Sequence, residues 1–525
     1  MNGQPGRPGR PAAAVAAGIL LSRILGLVRN RVFAHYFGTS AAADAFNAAF
    51  KIPNFLQNLF GEGVLSASFI PVYARLLAEE DGEEARRVAL AVGSLLALGT
   101  AVVVLAGVLL TPLLVTIFTP GFEGERREAT IRLARILFPG AGILVLSAWC
   151  LGVLNSHGRF FLSYSAPVLW NLAIIGTLLG FGGDAQGYRL AEIAAWGSVV
   201  GSTLQFGVQL PTVGKLLGGV GPSLRRGVAA ARTVLRHSVP VFVGRGVVQI
   251  SAYVDTIIAS LLPVGAVAGL SYAQVLYTLP VSLFGMSVSA AELPAMSRVT
   301  GAQSEREAQL RARLEAGLRQ IAFFVVPSAV VFLALGDVVV GALYQTGAFT
   351  RTMTVYVWTI LAGSSVGLLA STWGRLYAST YYALQDTRTP LRFGVVRVAL
   401  TIGLGFLFAI PLPPLLGVDP RWGAAGLTAS AGIAGWVEFI LLRRTLDRRL
   451  GPTGVPASLV WRLWASALLA AVAAWVVKLA IQHRHPLVVA LFSLGMFGIT
   501  YFAITAELKI PESRRVLTRI RKFRK

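Results

Sequence analysis

The sequence predicts an all-α polytopic membrane protein with about 14 transmembrane helices. Three observations carry this. Hydrophobic residues make up 55% of the 525 positions and charged residues only 14%, with a mean hydropathy of +0.67. A soluble domain carries about 25% charged residues, so this chain cannot solvate a globular surface. The apolar residues gather into runs of the length that crosses about 30 Å of hydrocarbon. The basic residues gather in alternate gaps between those runs. Disorder, collagen and coiled coil are excluded by the same composition.

Taken in order, the apolar segments are 12–36, 41–74, 88–118, 131–154, 161–182, 189–211, 236–262, 266–296, 318–345, 354–384, 392–413, 423–443, 460–480 and 486–506. The first follows Arg7 and Arg10 like a signal peptide. It continues through Ser22–Phe37 with no polar mature region behind it, so it is expected to be an uncleaved span. The second, seventh, eighth and tenth are long, which implies tilt, kinks or extension beyond the bilayer.

With the N-terminus placed inside, the inner segments hold 31 Lys/Arg and the outer loops 7. That bias puts both termini in the cytoplasm. It also accounts for the net charge of +23, and no nucleic-acid motif accompanies the charge. The single cysteine, Cys150, excludes an internal disulfide and a cysteine metal site. No phosphate-binding Gly-x-x-x-x-Gly-Lys-Ser/Thr loop and no His-Glu-x-x-His is present, so ATP hydrolysis and zinc hydrolase chemistry are not expected. The basic tail from Pro511 carries Val516, Leu517, Ile520 and Phe523 at helical spacing and reads as a surface helix on anionic membrane lipids.

Nine Lys/Arg fall inside spans. Arg132, Arg135 and Arg397 lie near span ends and are expected to snorkel. The others concentrate in spans 1 and 2. Asp44, Asn47, Lys51, Asn54, Asn58 and Glu62 follow helical steps, within roughly 80° of azimuth over about 27 Å of rise. Lipid does not tolerate such a face, so it lines a wet cavity or meets another polar helix. Span 1 adds Arg23, Arg29 and Arg31, with Arg23 and Arg29 roughly 120° apart around the axis. One reading is a cationic site for a phosphate or pyrophosphate, since Arg grips phosphate oxygens in pairs. The other is structural pairing, Arg29 with Asp44 and Lys51 with Asp44 or Glu62. The two are compatible.

A weak internal repeat relates spans 1–2 to spans 7–8. Arg23, Leu59-Phe60-Gly61, Pro71 and Arg75 recur as Arg245, Leu283-Phe284-Gly285, Pro294 and Arg298 at offsets of 222 to 224. An even number of intervening spans makes the copies parallel, an arrangement that encloses a central site with alternating access.

The residues then point to a family. Ser22-Arg23-Ile-Leu-Gly-Leu-Val-Arg29, Asp44-Ala-Phe, Phe50-Lys51-Ile-Pro53-Asn54 and Phe60-Gly-Glu62-Gly-Val-Leu-Ser66-x-x-Phe69-Ile-Pro71 resemble the start of the MurJ (MviN) lipid II flippases. Tyr382-Ala-Leu-Gln-Asp386-Thr-Arg388-Thr-Pro390 resembles the segment that enters their span 11, and Asn155-x-x-x-Arg159 and Pro167-x-x-x-Asn171 fit as well. The resemblance implies two six-helix lobes plus two C-terminal helices, in the multidrug/oligosaccharidyl-lipid/polysaccharide exporter superfamily. The chain then divides into an N-lobe (1–211), a basic cytoplasmic linker (212–235), a C-lobe (236–443), spans 13–14 (444–506) and a basic cytoplasmic tail (507–525). The implied function is flipping of the undecaprenyl-pyrophosphate-linked peptidoglycan precursor in the bacterial inner membrane, without ATP and without an enzymatic step. The residues matching the family's substrate site are Arg23, Arg29 and Asp44, and Lys51, Asn54 and Glu62 extend it. Spans 13–14 are implied to form a groove for the lipid tail. The expected partners are lipid II and the peptidoglycan synthesis machinery, with the chain a monomer.

The sequence departs from the family where many members carry Arg soon after the Pro-Asn of span 2, since it has Gln57 there. It departs again where many carry Asp-Arg in span 8, since it has Gln274-Val275. Arg245 is expected to replace the missing second-lobe cation, or else to pair structurally with Asp255 or Glu292. No metal or resident cofactor is expected. Sodium coupling through Asp255 would have little support from span 11, which offers only Thr401 near Gly405. Two alternatives keep the same fold: a flippase for another polyprenyl-linked saccharide, and a non-transporting membrane scaffold.

Overall fold

The computed structural model describes residues 10–60, 62–219, 253–299 and 302–514. All secondary structure among them is helical. The helices of the first half are α1 (Arg10–Phe37), α2 (Ala41–Phe60), α3 (Glu62–Ala78), α4 (Gly82–Phe118), α5 (Gly124–Ser156), α6 (Phe160–Ser165), α7 (Pro167–Phe181), α8 (Gly187–Leu216) and α9 (253–260). The second half holds α10 (Ala266–Pro280), α11 (Ser287–Ser297), α12 (Gln303–Ala334), α13 (Gly336–Tyr344), α14 (Arg351–Ser365), α15 (Leu368–Ala383), α16 (Arg388–Ala409), α17 (Leu412–Leu415), α18 (Gly423–Leu450), α19 (Ala457–Ile481) and α20 (Pro486–Glu507). Among the described residues nine helices are long and apolar enough to cross a membrane, and the bent pair α14–α15 makes a tenth.

The chain forms two compact units, Met1–Ala268 with Thr346–Ala348, and Gly269–Gln345 with Phe349–Lys525. In the first, α5 packs against α2, α3, α4, α6 and α8, while α1 lies along α6 and α7. Its core is Phe69 and Tyr73 of α3, Val88 and Val92 of α4, and Trp149 and Val153 of α5. The Trp149 indole donates to the Ala89 carbonyl at 3.1 Å. Gly93 lets the ring in, since a Cβ there would sit 2.8 Å from it. The opposite face of α4 carries Leu98, Val102, Leu105, Leu109 and Leu113 at 55–67% exposure. An apolar stripe that exposed, at steps of four, three, four and four, is a lipid-facing surface.

The second unit is built on α12, α15 and α18, with the α19–α20 hairpin against α12 and α13. Aromatic donors tie its helices together: Trp373 to the Leu318 carbonyl at 3.0 Å, Tyr381 to Leu442 at 2.9 Å and Tyr501 to Phe323 at 2.7 Å. α14 and α15 meet at 41°. The break at Gly367 admits Gly432 of α18 so closely that a Cβ on Gly367 would lie 2.4 Å from the Gly432 Cα. The Val366 carbonyl freed by the break accepts the Trp436 indole at 2.9 Å. Irregular backbone at membrane depth persists only where a neighbour satisfies it in this way.

In the second copy of the repeat read from sequence, α10 and α11 are separated by a π-helical turn at Val281–Met286 that contains Phe284 and Gly285. The matching Gly61 of the first copy lies outside the described residues.

Two arginines expected to snorkel also pair with carboxylates. Arg132 donates to Glu192 of α8 at 2.7 Å and Arg397 to Glu438 of α18 at 3.0 Å. A carboxylate on the neighbouring helix offsets the loss of water more directly than reaching for the interface. The family-like segment around Asp386 forms the α15–α16 turn. The Asp386 carboxylate accepts from the Thr389 backbone N–H at 3.0 Å and hydroxyl at 2.7 Å, and from Arg449 of α18 at 2.7 Å. The Thr389 backbone N–H contributes most to holding this carboxyl at about 2, against an ordinary value of 3.8. The linker beyond residue 219 and the tail beyond 514 lie outside the described residues.

Candidate functional site

The polar face of α2 begins at Asp44, in the first turn of that helix. The side chain is 1% exposed. Its Oδ2 accepts from the Gly265 backbone N–H at 2.7 Å and its Oδ1 from the Ala268 N–H at 2.8 Å. These are the unpaired N–H groups that open α10, where a carboxylate is favoured by hydrogen bonding and by the helix dipole together. Gly265 adopts φ +98°, and a Cβ there would lie 2.7 Å from the Thr39 carbonyl. The tight turn that presents these N–H groups to α2 therefore depends on glycine. Arg126 of α5 adds its guanidinium 3.6 Å from Oδ2, held over the Phe122 ring and donating to the Gly121 carbonyl at 2.9 Å.

About two turns on, Lys51 donates to the Thr256 hydroxyl of α9 at 2.9 Å, and its carbonyl accepts from Tyr253 at 3.0 Å. Asp255 of α9 lies within electrostatic reach of the ammonium. Of the two carboxylates that spacing offers Lys51, Asp44 is held by the α10 N–H groups and the Glu62 side chain lies outside the described residues, and the structure adds Asp255 of α9. Asn54 and Gln57 face a narrow crevice lined by Gly140 and Leu144 of α5 and by Ser198 and Ser202 of α8. Helical spacing alone puts the whole stripe on one face. In the structure its members meet three neighbours in turn: the α10 N-terminus, α9, and the α5–α8 pair.

α1 runs unbroken through Gly26, so Arg23 and Arg29 keep their separation around the axis. Arg23 is exposed and Arg29 half-buried. The Arg29 guanidinium lies 4.6 Å from the centre of the Trp170 ring and donates to Asn30 Oδ1 at 3.0 Å. Trp170 is fixed by its own donation to Ser198 at 3.1 Å and stands against Phe50 of α2. A guanidinium over an indole is held in place by the ring face. Asn171, the next residue, gives its amide to Pro167 at 3.0 Å and places Oδ1 3.9 Å from where a Cβ on Gly26 would stand.

The structure therefore brings Asp44 and Lys51 into close packing with α9 and the α10 N-terminus, and Arg29 into packing with α7. The Glu62 side chain and Arg245 lie outside the described residues. Glu292 faces Arg313 of α12, Nη1 to Oε2 3.5 Å, a partner that the sequence reading did not weigh. Among the described residues no group of three His, Cys, Asp or Glu is placed to hold a metal. Sequence reasoning missed Trp170, Arg126 and Gly265. Trp170 adjoins the quoted Pro167-x-x-x-Asn171 motif, which was its only signal. Arg126 was counted as an outer-loop charge, and Gly265 sits in a three-residue gap between two apolar segments.

Comparison with known proteins places this geometry. A family model described as Lipid II flippase MurJ matches residues 33–500. The probable lipid II flippase MurJ of Rhizobium tropici is 31% identical over 462 residues, covering 86% of this chain and 82% of the relative. The lipid II flippase MurJ of Burkholderia cenocepacia is 30% identical, with 83% of each chain covered. Among solved structures, a lipid II flippase MurJ in an inward closed conformation superposes with a TM-score of 0.76 at 24% identity, over 94% of this chain and 98% of that one. An inward-facing multidrug resistance MATE transporter of the MOP superfamily gives 0.61 at 17% identity, over 83% and 98%. These two share the fold. On the family model and the sequence relatives, this chain belongs to the MurJ family of lipid II flippases.

Proposed function

We propose that this chain moves lipid II from the inner to the outer leaflet of the bacterial cytoplasmic membrane by alternating access, without ATP. The family match over residues 33–500 carries this reading. The arginines of α1 supply the chemistry it needs: guanidinium groups inside an otherwise apolar helix, suited to a pyrophosphate. Arg29, steadied on Trp170, is the first contact for the headgroup, and Arg23 is the second. Asp44 is read as a clasp on the α10 N-terminus rather than a headgroup ligand, because it is buried and each of its oxygens accepts a backbone N–H there. No sodium is placed at Asp255, which has Lys51 within electrostatic reach. Fourteen spans in two six-helix lobes plus two helices, with both termini cytoplasmic, complete the reading.

Complementation tests it. In a bacterium whose own lipid II flippase is shut off, the wild-type chain restores growth. Arg29→Ala at equal membrane level loses one charge-assisted contact, about 1.5–3 kcal/mol, which is roughly a 10- to 150-fold loss in headgroup affinity. Arg29→Lys recovers only part of this, since Lys lacks the paired donors and the stacking. Failure of a well-inserted wild type, or full rescue by Arg29→Ala, sinks the proposal.

A further inference from the structure

A second polar cavity lies in the Gly269–Lys525 part of the chain, at the end of the helices that the charge bias places outside. It encloses about 310 Å3 between α13, the start of α14 and the α19–α20 turn. Its floor is Asp337, in the first turn of α13 and 1% exposed. The two carboxylate oxygens are divided between two helices. Oδ2 accepts from Arg351 of α14 at 2.7 Å and Oδ1 from Lys478 of α19 at 2.9 Å. Arg484, from the α19–α20 turn, lines the same cavity, as do His483 and Gln482.

The charges do not balance. One carboxylate faces three permanent cations, so Asp337, Arg351, Lys478 and Arg484 together carry a surplus of two positive charges. Asp337 fixes Arg351 and Lys478 on one wall but uses a single donor of each. A guanidinium offers five donors and an ammonium three, so most remain for another acceptor. A cavity that concentrates donors and positive charge in this way suits a phosphate group.

The surroundings decide what carries the phosphate. Trp475 lies 5.8 Å from the Lys478 ammonium and is half exposed. Leu479, Leu487 and Leu491 on α19 and α20 are exposed along the same hairpin. Aromatic and basic side chains at the end of an exposed apolar hairpin mark the level of lipid headgroups. We infer that this cavity binds the phosphate of an anionic phospholipid headgroup, with the acyl chains lying along α19 and α20. None of its residues is among those proposed to hold the lipid II headgroup.

Native mass spectrometry of the full-length chain, mixed with equal amounts of phosphatidylglycerol and phosphatidylcholine, tests this. The wild type is expected to retain phosphatidylglycerol preferentially. Arg351→Gln and Arg484→Gln each lower that preference about fivefold, and the double variant nearly abolishes it. Arg484→Gln serves as the variant least exposed to folding defects, since its side chain sits in a turn. Arg421→Gln, a charge change in another outer loop, leaves the preference unchanged. An unchanged preference in the monodisperse double variant overturns the inference. So does stripping of the lipid from the wild type by millimolar inorganic phosphate, which would make this a site for a soluble anion.

Discussion

Asp44 and Asp337 are both 1% exposed, and both stand in the first turn of a helix, yet they are satisfied in opposite ways. Asp44 takes two backbone N–H groups at 2.7 and 2.8 Å, with Arg126 more distant at 3.6 Å. Asp337 takes two side-chain cations at 2.7 and 2.9 Å. Backbone donors compensate a carboxylate without adding net charge, and their positions are set by the chain path. Side-chain cations overcompensate it and leave spare donors. The first arrangement is closed, a clasp whose strength depends on Gly265 keeping its turn. The second is open, and its surplus charge is the basis for an anion site.

The largest effect is expected at the clasp. Asp44→Ala orphans two buried N–H groups at the start of α10 and strips Arg126 of its partner, at a cost of about 3 kcal/mol. In detergent the unfolding temperature should fall further than for Asp337→Ala, because Arg351 is already half in solvent and rehydrates. An equal or smaller fall for Asp44→Ala would break the comparison.

Double-mutant cycles sharpen it. Asp337 and Lys478 should couple by about 1.5 kcal/mol, since Lys478 is mostly buried and the contact is direct. Asp44 and Arg126 should couple by under about 0.5 kcal/mol, because the backbone carries most of the load. Similar couplings at the two sites would mean that Arg126, not α10, holds Asp44.

The smallest effect is expected from a third carboxylate, Asp386, which combines both modes: backbone and hydroxyl donors from Thr389 and a cation from Arg449. Its folded pKa of about 2 lies below the ordinary 3.8. The folded state therefore binds its proton less readily than the unfolded chain does. The stabilisation is complete well above 3.8 and is lost as pH falls through about 2. Asp386→Asn should flatten the acid limb of the stability profile and leave stability near pH 7 lowered. An acid limb identical to wild type would remove Asp386 from that balance.

Much of this was legible in the residues. The fourteen apolar segments fall on helices wherever the structure describes them, since a span must bond its own backbone and its length is set by the bilayer. The α2 stripe was visible as helical spacing, and Asp44 and Lys51 stood out as charges that lipid would not accept. Their partners did not. Gly265 and Ala268 are 221 and 224 residues from Asp44, and Thr256 is 205 from Lys51. Periodicity tells which side of a helix a residue occupies and nothing about what lies opposite. Arg132 and Arg397 show the same limit: position along a span suggested snorkelling, and only the neighbouring helix supplied Glu192 and Glu438. Asp337 was hidden more completely, as one acidic residue within a predicted span, with its two cations assigned to separate outer loops.

The all-helical membrane architecture, the charge asymmetry, the arginines of α1 and the resemblance to a flippase family are all present in the order of residues. These follow from local hydrophobicity, charge and spacing, which every short window of the chain displays. That Asp44 closes on a helix N-terminus, that Arg29 rests on Trp170, and that Asp337 gathers two cations into an open cavity emerges from the packed helices. Those outcomes depend on which helices become neighbours, and that is settled by packing across hundreds of residues rather than by any one segment.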